Sequence, residues 1–149
     1  MKPRIYLDTS VISLVDDDRS PERRDLTREF WLRLDEFEVS ISQVTRREVE
    51  DTLDNARRAS MVERIASLPD LPITPEAESL APQYLNAGIF SRAMPDDALH
   101  VAIAVYARQD ILVSWNFKHL VNQRRRAAVD ALNLSLGLPT IAILPPPEV

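Results

Sequence analysis

The chain contains no cysteine, and that absence removes disulfide frameworks, thiolate metal sites and cysteine nucleophiles together. Any metal must be held by oxygen or by one of the two histidines, which favours hard cations. Long apolar runs are also missing. The first one, Ile5-Tyr6-Leu7, stops at Asp8, too early for the core of a secretory signal, and none approaches a membrane span. The expectation is a cytoplasmic protein that does not enter a membrane. Positive charge is scarce as well: 18 Lys and Arg against 23 Asp and Glu leave a net charge of −5. That excludes a surface that coats nucleic acid generally, because such binding is driven by neutralising phosphates. A nucleic-acid partner has to be gripped locally. There is no internal repeat and no low-complexity segment.

A chain of 149 residues with 45% apolar and 28% charged residues reads as one globular domain over 1–149, ending in a Pro-rich tail at 145–149. The pattern alternates short strands with helices. "RIYLD" is a strand. Ser20 to Phe37 reads as an amphipathic helix with a Ser cap, Pro21 at its first position and Leu26, Phe30 and Leu34 at four-residue spacing. "EVSIS" (Glu38 to Ser42) is a second strand, and Ser42 to Leu53 and Ala56 to Leu68 are helical. "PEAESLAPQYLNAG" is a helix with a Gly stop, in which Pro82 predicts a kink or break. Pro95 to Gln109 is almost continuously apolar after its first three residues, which marks a helix buried on most sides. "DILVS" is a third strand and "TIAIL", after a further helix, a fourth; the terminal "PPPEV" cannot extend a central strand. The class is therefore α/β, three layers (α/β/α), with a mainly parallel central sheet.

In an open parallel sheet, ligands bind beyond the carboxyl ends of the strands, and Asp8 stands where the first strand ends. Taken alone it is equally well a cap for the helix begun by "TSVISL". Other acids decide whether the position means more. Glu48 shares a helical stripe with Val44 and Thr52, whereas Glu50 is turned elsewhere; in isolation it reads as an acid at the edge of a buried stripe, snorkelling to water. Asp96 and Asp97 open the most apolar helix, where acids complement the macrodipole without further purpose. Ser114 and Asn116, in "VSWNFKHL", follow another strand. Four polar features thus fall at one edge of the sheet.

Taken together, "YLDTSVI", the Ser42-to-Glu48 spacing in "SQVTRRE", "DDALHVAIA" and "LVSWNFKHL" resemble the PIN-domain family, whose best-known bacterial members are VapC-type toxin ribonucleases. The likeness runs from about Arg4 to Ile143. It implies that Asp8, Glu48 and Asp97 are acidic metal ligands and catalytic residues, with Ser10 as a supporting hydroxyl, joined by Ser114 and Asp96. The family's last motif usually carries a threonine and then an aspartate. This chain has Ser114 and Asn116, a variant shared with a branch that carries Trp-Asn-x-Lys-His, so that Asn116 becomes a fourth candidate ligand for a more weakly held second ion.

The chemistry implied is metal-dependent cleavage of RNA phosphodiesters with Mg²⁺ or Mn²⁺, in a toxin paired with a small antitoxin protein and forming a homodimer. Clustered carboxylates without thiolates suit those cations. Arg46, Arg47, Lys118 and His119 are candidates for holding the RNA backbone. The run Arg124 to Arg126 reads equally as a solvated helical face. His100 is expected to be a satisfied buried histidine that positions Asp97, and Trp115 and Phe117 to pack in the core. Two other readings stay open. One is a domain with weakened catalysis that serves as an RNA-binding or protein-interaction scaffold, for which Asn116 is the motive. The other is a phosphatase with Asp8 as nucleophile, disfavoured because Ser10 stands where such enzymes present a second Asp.

Overall fold

The computed structural model describes residues 1–149. Its sheet has four parallel strands, β1 (Arg4–Leu7), β2 (Glu38–Ser40), β3 (Ile111–Val113) and β4 (Ala142–Leu144), in the order β2-β1-β3-β4. Seven helices surround it: α1 (Thr9–Ser13), α2 (Pro21–Trp31), α3 (Gln43–Glu50), α4 (Asn55–Ile65), α5 (Pro75–Asn86), α6 (Pro95–Tyr106) and α7 (Gln123–Ser135).

The three-layer expectation is met, and side-chain alternation along β1 shows why. Ile5, Tyr6 and Leu7 are all fully buried, yet they serve opposite faces, as successive strand residues must. Tyr6, with Leu112 and Ile143 of the neighbouring strands, joins a core built with α5, α6 and α7. Ile5, Leu7 and Val113 join a second core with Val11, Ile12, Phe30, Met61 and Ile65 of α1, α2 and α4. A parallel sheet whose strands are apolar on both faces has to be covered twice.

Helix α6 carries the densest burial: Ala98, Val101, Ala102, Ile103, Ala104 and Val105 are all buried, and α5 lies along it as a hairpin partner. Each buried Val or Ile contributes about 1.5–3 kcal/mol. Such a helix can therefore carry a buried histidine, and acids at its first turn, without losing its place against β1 and β3.

Several elements end earlier than expected, and Pro82 does not act as a break. The first long helix stops at Trp31, whose indole N–H donates to Val11 O at 3.0 Å. Leu34 is reached by a separate 3₁₀ turn, Leu34–Glu36, which keeps the apolar spacing without continuing the α-helix. Helix α3 ends at Glu50, short of Leu53. Pro82 does not break α5, which runs continuously from Pro75 to Asn86; the proline lies on the exposed side, where the carbonyl it cannot satisfy is open to water. The terminal prolines form a 3₁₀ turn, Pro146–Glu148, against α2. No helix is long and apolar enough to cross a membrane.

Candidate active site

Because all four strands run the same way, the loops that leave β1 and β3 and the first turns of α1, α3 and α6 meet at one edge. Asp8, immediately after β1, sits there and is only 5% exposed. Its Oδ1 accepts from Ser10 N (3.0 Å) and Ser10 Oγ (2.5 Å), and its Oδ2 accepts from Ser114 Oγ. Asp8 is thus both the cap of α1 and part of a larger cluster, so the two readings of this residue are compatible. Ser10 Oγ in turn accepts from Trp115 N at 2.9 Å, and Ser114 Oγ from Asn116 N at 2.9 Å. Two serines therefore bolt the loop after β3 to the carboxylate after β1. Burial pushes the Asp8 carboxyl upward, and nearby Glu48 adds to the rise. His100 and the two serine hydroxyls oppose it.

Glu48 projects from α3 toward the same edge. Its Oε1 accepts from Thr9 Oγ1 at 3.0 Å and is 2.5 Å from His100 Nε2. Burial raises its pKa, but His100, Thr9 and Arg47 outweigh that, and the net shift is downward. Behind it, His100 Nδ1 is 2.5 Å from the Tyr6 hydroxyl, which also meets Ser42 Oγ (2.7 Å) and Thr45 Oγ1 (3.3 Å). Burial opposes charge on His100, but Tyr6, Glu48 and Asp8 outweigh it and hold its pKa at about 10. The protonated ring donates from Nε2 to Glu48 and from Nδ1 to Tyr6, which hands its own proton to Ser42 or Thr45. His100 is buried and satisfied as expected, but it holds Glu48; the expectation that it positions Asp97 is corrected.

Asp97 and Asp96 part company at the start of α6. The Asp97 carboxyl turns inward, where Oδ2 is shielded from solvent and has no hydrogen-bond partner. Burial is the largest influence on its raised pKa. Asp8 and Glu48 raise it further, while His100 and His119 lower it. Asp96 turns outward and takes Arg47 Nη2 on both oxygens at 3.1 Å.

The other candidates are distributed unevenly. Arg46 is held away from the acids by Asp70 and Leu68 O, both at 2.7 Å. Asn116 Oδ1 accepts from His119 N at 2.9 Å, which engages one lone pair of the amide oxygen. His119 lies near enough to Asp97 to favour its ionised form, and Lys118 is exposed beside it. Trp115 is in the core, with its indole N–H on Thr27 Oγ1 at 2.8 Å. Phe117 is not: it is 42% exposed, under the Arg23 guanidinium. Thr9 and Tyr6 were not singled out from sequence. A tyrosine amid a fully buried strand is the usable signal for the latter, since its hydroxyl must find a partner inside.

The donor set suits a hard cation. Glu48 Oε2, Asp97 and one lone pair of Asp8 Oδ2 are free of protein donors, and the shielded Asp97 Oδ2 lacks a partner that a cation would supply. No three His, Asp or Glu side chains are grouped closely enough to hold a metal ion together, so a cation here would be held by one or two of these carboxylates and by waters, as Mg²⁺ can be. None of the cavities is lined by Asp8, Glu48 or Asp97; Asp8 is buried and Glu48 and Asp97 are half-buried.

No protein-family model and no curated protein matches the sequence. Among solved structures, a chain from the crystal structure of VapBC2 of Rickettsia felis, bound to a DNA fragment from their promoter, is similar with a TM-score of 0.56 and 14% identity. The match covers 95% of this chain and 98% of that one. At that identity the likeness is one of fold: this chain has a PIN-like three-layer α/β/α fold with an all-parallel four-stranded sheet.

Proposed function

We propose that this protein is a metal-dependent endoribonuclease that cleaves RNA phosphodiester bonds with Mg²⁺ or Mn²⁺, and that it acts as the toxin of a toxin–antitoxin pair. The observation that carries the reading is the placement of Asp8, Glu48 and Asp97, from three separate elements, at one edge of the sheet, near enough that the first two raise the pKa of the third, with the shielded Asp97 Oδ2 left unpartnered. The fold shared with a VapBC2 chain supports the toxin assignment and a small antitoxin partner, and a homodimer is part of the same proposal.

Ser10 and Ser114 hold Asp8, while Thr9 and His100 hold Glu48, so two of the three acids are fixed before any ligand arrives. That preorganisation is what a site needs to orient a water and a phosphate without rearranging. A bound Mg²⁺ or Mn²⁺ would supply Lewis acidity at the phosphate and lower the pKa of a bound water. A second reading, a scaffold with weakened catalysis, draws on Asn116, whose amide oxygen already accepts from His119 N.

The test is cleavage of single-stranded and structured RNA by the purified protein. Activity with Mn²⁺ or Mg²⁺ that stops on adding EDTA supports the nuclease; cleavage unchanged in chelator overturns the metal assignment. RNA binding without cleavage under either metal favours the scaffold.

A further inference from the structure

A second feature lies on the same edge of the sheet, outside the acidic cluster. The connection from α5 to α6 and the start of α7 enclose a cavity of about 210 Å³ lined by Gly88, Ile89, Asn122, Arg124, Arg125 and Ala128. No carboxylate is among these residues. Arg125 Nη1 is shielded from solvent and has no hydrogen-bond partner. The same guanidinium lies over Phe90, 5.4 Å from the ring centroid. Arg126, the next residue, is by contrast tied to Ile143 O at 3.0 Å.

Topology places this cavity beside the acids. Helices α5 and α6 form an antiparallel hairpin, so Gly88 and Ile89 lie at the end where α6 begins with Asp96 and Asp97. The opposite wall begins eight residues after Ser114, on a loop folded back on itself by Leu120 N and Val121 N, which both donate to Asn116 O. Gly88, with φ at 72°, turns the chain out of α5, a conformation that a residue with a Cβ resists.

Arg124 and Arg125 both line the cavity and no carboxylate does, so an oxyanion in it meets the planar fork that an arginine presents. We infer that this cavity binds a phosphate group, and that the group is a backbone phosphate of the RNA lying next to the one cut at the acidic cluster. Arg125, over Phe90, is the anchor, and exposed Arg124 is the second cation. The start of α7 adds positive potential. The RNA part of this inference rests on the nuclease reading; phosphate binding does not.

The experiment uses the full chain in EDTA, so that cleavage plays no part. Inorganic phosphate is titrated while amide resonances are followed by NMR, and a fluorescent single-stranded RNA is titrated by anisotropy at several salt concentrations. Phosphate should shift the amides of Gly88, Ile89 and Arg125 saturably in the wild type and not in Arg125→Gln. RNA affinity should fall about tenfold in Arg125→Gln, with the slope of log K against log salt smaller by about one. Arg125→Lys, which keeps the charge and the stem over Phe90, should recover part of the loss, and Arg124→Ala gives a change at an exposed site that leaves folding intact. Saturable phosphate shifts with unaltered RNA affinity overturn the RNA assignment. No phosphate shift and unaltered RNA affinity overturn the site, leaving a cavity that holds water only. Loss of RNA binding in Arg125→Gln, alongside a wild type that cleaves under no metal, supports the site and overturns the nuclease.

Discussion

Replacing the two neighbouring acids of α6 one at a time should separate ligand from helix cap. Asp96 is about half exposed and paired with an Arg47 that is more exposed still. Such a pair contributes about 0.2–1 kcal/mol, and the first-turn charge about 0.3–1 kcal/mol to the helix, so Asp96→Asn should cost about 1 kcal/mol and retain most cleavage. Asp97 has the opposite balance. Its pKa is raised by burial and by Asp8 and Glu48, so the folded state holds a proton that the unfolded chain releases nearer pH 3.8. The native state then binds more protons than the unfolded one above that pH, and this group's contribution to stability falls as pH rises through the window between the two values. At pH 7 the ionised Asp97 is a net cost, and Asp97→Asn should melt at the wild-type temperature or above it without metal. With Mn²⁺ at a hundred times its dissociation constant the wild type should gain about 2.7 kcal/mol, which for a chain of this size is a rise of about 5–10 °C. Asp97→Asn should gain little of that and lose cleavage. Thermal melts with and without Mn²⁺, run beside an RNA assay, test this. Equal metal stabilisation of wild type and Asp97→Asn, or a dead Asp96→Asn beside an active Asp97→Asn, refutes the assignment.

Asn116→Asp should keep its cap on His119 N and, by adding an anion, tighten binding of a second Mn²⁺; calorimetry that finds one unaltered site in both proteins counts against this. Tyr6→Phe removes the hydroxyl between His100, Ser42 and Thr45 and leaves three buried groups short of a partner. It should destabilise the fold by about 1–3 kcal/mol, read from the urea midpoint, and a change under about 0.5 kcal/mol would show that Tyr6 is no hub. Asp17, held by Arg19 and also near Arg57, has its pKa lowered to about 2 from 3.8. Its contribution is present above pH 3.8 and lost as pH falls from about 4 to 2. With Arg19 mostly exposed, solvent screening reduces that contribution to about 1 kcal/mol. Asp17→Asn should flatten acid unfolding across that window, and identical acid titrations of the two proteins would sink the idea.

What could be read from the sequence, and what could not, divides by distance along the chain. The stop of an apolar strand at Asp8 and the acids Asp96 and Asp97 at the start of the most apolar helix are local patterns, and they lead to two inward carboxyls, those of Asp8 and Asp97, at one edge. Secondary structure follows the same rule: strand and helix periods locate the elements, while the end of α2 at Trp31 depends on an indole reaching Val11, a contact between elements. The partners of the acids are long-range. His100 and Glu48 are 52 residues apart, Thr9 and Glu48 are 39 apart, and Ser114 and Asp8 are 106 apart; no spacing rule connects them. That is why His100 was assigned to the acid three residues before it on its own helix, when the ring instead reaches across to α3. The same limit explains Arg46 and Arg47, adjacent in sequence but about 100° apart around the helix, one drawn to Asp70 and the other to Asp96. Asp8 shows why a local reading need not exclude a long-range one. A carboxylate that caps α1 through Oδ1 is immobilised by the helix it starts, and its Oδ2 is thereby set to accept from Ser114, so the cap supplies the rigidity that the proposed site requires.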